Sequence, residues 1–140
     1  MSSIQFEVIE HDGVRYAEVI WAPSVTSKTQ FCSPDSGSMQ FGLLAHEAGF
    51  VEAAHYHKPI ERKIHNLAQM FVVQKGKVAI DFFTAQGRKF KEVVLGVGDA
   101  ILLIDGAHSV RVLEDMQCVS VKQGPFLGMD NDKVNIQVES

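Results

Sequence analysis

The stretch Gln69-Met70-Phe71-Val72-Val73-Gln74-Lys75-Gly76-Lys77-Val78-Ala79-Ile80-Asp81-Phe82-Phe83 decides the fold class. It is dense in Val, Ile and Phe, whose branched or flat side chains suit a pleated, half-buried surface. Lys75-Gly76 interrupts it as a turn pair, so the stretch predicts two strands, Gln69–Gln74 and Lys77–Phe83. Alternation puts Gln69, Phe71 and Val73 on one face. Similar runs extend in both directions: Gln5–Glu10, Val14–Trp21, Gln40–Ala45 and Phe50–His57 before it, then Lys89–Val94, Asp99–Ile104, His108–Leu113 and Gln117–Lys122. Asp12-Gly13, Gln86-Gly87, Gly98-Asp99 and Glu114-Asp115 punctuate them as further turns. Many short strands at near-regular spacing predict an all-β sandwich or barrel. Ala22–Ser38 and Lys58–Ala68 read as irregular, and nothing marks a second domain or a repeat.

Size and charge narrow the function classes. A chain of 140 residues with 46% hydrophobic content builds one core without staples. A net charge of −4 and the lack of a Lys/Arg run leave no footprint for nucleic acid. The apolar run Ala100–Ile104 is far too short to span a membrane as a helix. Met1–Glu7 has no basic start followed by an apolar block, and the cysteines Cys32 and Cys118 stand far apart. These features predict a cytoplasmic protein with free thiols.

Ala54-His55-Tyr56-His57-Lys58-Pro59 holds the chemistry. On a strand, His55 and His57 point the same way, about 6–7 Å apart, and can lean onto one ion. On a helix, residues two apart diverge. Two histidines facing solvent would have the same spacing. A third candidate, His108, opens a strand after the Asp105-Gly106 turn.

With these residues in view, the chain from Gly49 to about Lys133 resembles the cupin superfamily. Gly49, five residues, then His55-Tyr56-His57, and later Gln69, six residues and Gly76, is similar to the first cupin motif. Gly98, Asp105-Gly106 and His108 resemble the second, without its proline. The eleven residues Lys58–Ala68 between the histidine pair and Gln69 resemble the longer insert of a subgroup of small cupins. So do Arg62 and the segment Lys122-Gln123-Gly124-Pro125-Phe126.

The resemblance implies a single cupin domain over 1–140, a jelly-roll-like double-stranded β-helix. Its core barrel would span about 40–125, with N-terminal strands at about 4–21 that could mediate a homodimer. It implies a divalent transition metal, Fe, Ni, Zn or Mn, held by His55, His57 and His108. Gln69 stands where the family has a glutamate. Its amide either binds weakly or steps back, leaving open positions of the kind a catalytic metal uses. Glu61, four residues after His57, is a rival ligand. Arg62, Glu61 and Phe71 are candidates for contact with a small molecule, anionic or sugar-like. Three functions fit: a metal-dependent oxygenase-, isomerase- or lyase-like enzyme; a binding module without turnover; and a metal-free sugar isomerase or epimerase linked to surface polysaccharide. His46 and His65 read as loop histidines, and Tyr56, opposite the histidine pair, is expected to pack under a second sheet or at a subunit contact. Far-UV circular dichroism should be dominated by β signal; a helix content above about a third would refute the strand assignments.

Overall fold

The computed structural model describes residues 2–140. Strand makes up 44% of it and helix 3%, so the all-β expectation holds. The elements are β1 (Phe6–His11), β2 (Val14–Ile20), β3 (Gln30–Phe31), β4 (Gly42–Leu43), β5 (Gln69–Phe83), β6 (Lys89–Leu95), β7 (Ala100–Leu103), β8 (Ala107–Lys122) and one helical turn, α1 (Met129–Asp132). Six of them form one antiparallel sheet in the order β1-β2-β7-β5-β6, with β8 along the remaining side of β5. The sheet curls into a half-barrel. The N-terminal strands are part of this sheet, because β2 pairs with β7.

The quoted stretch is one strand of 15 residues, not two. Its partner β8 is likewise continuous over 16 residues, where two strands and a Glu114-Asp115 turn were predicted. The turn residues act instead as irregularities in a shared ladder, whose register shifts between Val73 and Val78. Bulges of this kind bend and twist a strand pair without ending it. Gly76 has φ +81° and lies so close to the Asp115 carbonyl that a Cβ there would collide with it. Only glycine suits both the dihedral and the contact.

The bend gives the sheet an inside. Phe71 and Val73 from one half of β5 join Val78, Ile80 and Phe82 from the other in a single core, with Ala17, Val19, Val93, Leu95, Ile101 and Leu103. A smaller cluster, Ile20, Phe41, Ala68 and Leu102, covers the other face of β7. Phe41, Phe71, Phe82 and Phe83 are all buried, as their composition predicts. The loop that brings Phe41 there is pinned by Glu18, which is 1% exposed. Glu18 accepts hydrogen bonds from Ser33 Oγ at 2.6 Å and Arg15 Nε at 2.9 Å. Ser33 Oγ in turn accepts from the Phe41 amide at 2.9 Å. A buried carboxylate is tolerated here because both oxygens are occupied.

A second buried acid, Asp81, anchors β5 to β8 and β6 from the face away from the main core. Arg111 donates to both its oxygens, at 2.6 and 3.1 Å. Lys89 Nζ lies 2.9 Å away, and Glu92 pairs with both cations. The Arg111 hydrogen bond, followed by Lys89, holds the carboxyl at about 2 against an ordinary 3.8, overcoming the opposing effect of burial. A depressed pKa means that stability is present above the unfolded value and is lost as pH falls through the folded one. Asp81→Asn should therefore cost roughly 2 kcal/mol at pH 7 in urea unfolding, after allowing for the half-exposed cations. The variant should also lose part of the parent's decline in stability between about pH 4 and pH 2.

Candidate functional site

The concave face carries two of the predicted site residues. Gln69 pairs with Leu103 and Lys122 at the start of β5, on the face of Phe71 and Val73. His108 pairs with Phe82 near the other end of β5, again on the core face. In an antiparallel ladder, directly paired residues project to the same side. The curl thus places two positions distant in sequence on one wall.

Each is held locally. Gln69 Nε2 donates to Ser120 Oγ at 2.8 Å, which orients the amide with its oxygen free of that bond. His108 is exposed at the start of β8. Burial pushes its pKa below the ordinary histidine value, and the Lys133 ammonium acts in the same direction. At neutral pH the ring is therefore the neutral base that metal or proton chemistry uses.

His55 and His57 are elsewhere. Phe50–His57 is not a strand; the chain between Leu43 and Gln69 contains no strand or helix. The physical reason is the lack of a partner. A strand is stabilised by ladder hydrogen bonds, and none are supplied to this segment, so its backbone faces water. Tyr56 does not pack under a second sheet; it is 83% exposed, which leaves the subunit-contact alternative. The shared direction of the two histidines survives nonetheless: their rings stack with centroids 5.4 Å apart and planes at 24°. His55 Nδ1 makes a 2.8 Å hydrogen bond to the Ala53 carbonyl. Since a carbonyl only accepts, Nδ1 carries the proton, and Nε2 faces Glu52 Oε1 at 3.9 Å.

Glu61 and Arg62 lie on the same exposed segment. Phe71 is in the core, 6% exposed, so in this arrangement it backs the concave wall instead of lining an open pocket. His46 lies at the base of the exposed segment, stacked on Phe50 at 3.9 Å and hydrogen-bonded to Thr29 Oγ1 at 3.2 Å. Among the described residues, no group of three or more His, Cys, Asp or Glu side chains is placed to hold a metal. The predicted donors thus fall into two sets: His55 with His57 on the segment, and His108 with Gln69 on the sheet. As they stand, they do not fit an ion.

Ser120, the Ala53 carbonyl and Lys133 were not legible as site elements. Ser120 becomes relevant through the β5–β8 register, and Lys133 through the returning C-terminal chain. Neither leaves a local pattern in the sequence.

Comparison with protein-family models, curated protein sequences and solved structures returned no match. The fold itself defines the class: an all-β protein built on a curled antiparallel half-barrel.

Proposed function

We propose that this chain is a cupin-like metalloprotein that binds a divalent transition ion, Fe, Ni, Zn or Mn, through His55, His57 and His108, with Gln69 beside the ion. Its substrate in this reading is a small anionic or sugar-like molecule, and its chemistry is oxygenase-, isomerase- or lyase-like. The observation that supports the reading is that Gln69 and His108 project to the same face of the β5–β8 ladder, at its opposite ends. The paired rings of His55 and His57 supply a matching donor set in this reading. Three imidazoles and an amide suit borderline transition ions and add no charge, so a bound ion would keep its full attraction for an anion.

This chain's own residues have defined parts in that reading. Ser120 orients Gln69, and the Ala53 carbonyl fixes the tautomer of His55. Phe71, Ile80 and Phe82 form the buried core beside this face. Arg62, on the exposed segment, is the cation available to a carboxylate or phosphate. A second copy would add at β1, whose outer edge is the end of the sheet, giving a homodimer in the cytoplasm.

Elemental analysis of protein purified without chelator or a nickel column tests the reading. His55→Ala, His57→Ala and His108→Ala should each lower metal affinity by about a hundredfold or more, beyond the usual loss for outer-sphere partners. His46→Ala should leave it unchanged. Full metal content in the triple variant would place any ion elsewhere and end the three-histidine reading.

Gln69→Glu is a second, independent test. It brings an anionic oxygen to the site, with the hydrogen bond to Ser120 reversed so that the hydroxyl donates to the carboxylate, and should tighten metal binding at least about tenfold. In an enzyme with an open three-histidine ion, turnover should fall as that position fills. Unchanged, low metal content in Gln69→Glu would remove Gln69 from the site and leave the metal-free sugar-binding alternative.

A further inference from the structure

An open cleft of about 600 Å³ lies between the loop 27–29, just before β3, and the chain 45–50, just after β4. Ser27, Lys28, Thr29, His46, Glu47 and Phe50 line it. Small-molecule sites have volumes of roughly 300–1,000 Å³, so this cleft is large enough to be one. None of these residues belongs to the metal reading above.

Local hydrogen bonds shape both walls. Thr26 Oγ1 donates to the Lys28 carbonyl at 2.7 Å and accepts from the Lys28 amide at 3.3 Å, closing a tight loop at Lys28. Thr29 Oγ1 joins the two walls: it accepts from the Ala45 amide at 3.2 Å and meets His46 Nε2 at 3.2 Å. On the far wall the Phe50 amide donates to the Glu47 carbonyl at 3.2 Å, with Gly49 at φ +94°. A side chain at Gly49 would oppose that dihedral. The turn folds Phe50 back onto His46, ring over ring, with centroids 3.9 Å apart and planes at 6°. Phe50 is still 55% exposed, so beyond the stack it offers a flat apolar surface.

Two charges complete the lining. Among the described residues, neither Lys28 nor Glu47 takes part in an ion pair. The charges of the sheet are different: Asp81, Lys89, Glu92 and Arg111 neutralise one another. A cation, an anion and an apolar ring in one cleft match a ligand with the same three features. A plain anion would meet the like charge of Glu47, and a plain cation that of Lys28. A zwitterion gives each of them an opposite charge.

We infer that this cleft binds a free α-amino acid with a flat apolar side chain, its carboxylate on Lys28, its ammonium on Glu47 and its side chain on Phe50. The inference does not depend on the proposed ion. The two charges are solvent-exposed, and exposed ion pairs contribute modestly. The affinity expected is therefore weak, about 1 mM.

L-phenylalanine is the probe. Titrated into the isotope-labelled full chain, it should shift the amide NMR signals of 27–29 and 45–50 together. 3-Phenylpropanoate lacks the ammonium and phenethylamine lacks the carboxylate, so each should bind at least about fivefold more weakly. Lys28→Met and Glu47→Gln should weaken L-phenylalanine by a similar factor. Both positions are exposed and outside the core, so these variants should fold like the parent. No shift with L-phenylalanine at about 20 mM would overturn the inference. Equal affinity for either analogue would show that one of the two charges goes unread, and the zwitterion is refuted. Shifts centred on 55–57 or on His108, with the cleft signals unmoved, would place the amino acid elsewhere and refute the site. Lys28→Met and Glu47→Gln should keep the parent's metal content, so this test and that of the three-histidine ion fail separately.

Discussion

The pairing of β5 with β8 is the constraint on which the rest of the molecule depends. It is the longest ladder in the sheet, and it runs through a bend that neither strand could make alone. At the bend the backbones of Gly76 and Asp115 press together, and no side chain fits between them. Without that approach the ladder would run straight, Phe71 and Phe82 would lie far apart, and one apolar core could not include both. With it, a flat sheet becomes a concave one, and residues from opposite ends of β5 share a wall.

Polar groups hold this curvature from the outer sides. Asp81 ties β5 to the Arg111 of β8 and the Lys89 of β6, joining three strands through one buried carboxylate. Glu18 performs a similar task at the other end, fastening the Ser33–Phe41 loop over β2 and β7. In both cases a charge is affordable in the interior because its oxygens are occupied by donors. The same edge that these contacts leave open is what separates the two donor sets. The fold places Gln69 and His108 on the sheet and leaves His55 and His57 on a segment without a ladder.

That division gives the functional reading its physical content. In the proposed reading an ion would have to bridge the sheet and the segment, so that binding and ordering of the segment would be linked.

The sequence by itself determined the all-β class, the main strand positions and the aromatic core. Val, Ile and Phe at alternating positions can be buried well only in a sheet, and that rule acts locally. It also determined that His55 and His57 face the same way, because backbone alternation persists in an extended chain even without a partner. Tertiary structure alone decided that Lys75-Gly76 and Glu114-Asp115 are opposed bulges in one ladder. A Gly-containing pair reads the same locally whether the chain reverses there or bends, and the strand across from it makes the difference. It decided as well that Phe50–His57 has no ladder here, since a strand exists only where another chain segment offers its edge. Gln69 and His108 share a face for the same kind of reason. Their shared face is set by the register and curvature of β5 and β8, quantities that belong to the pair of strands and to neither sequence run alone.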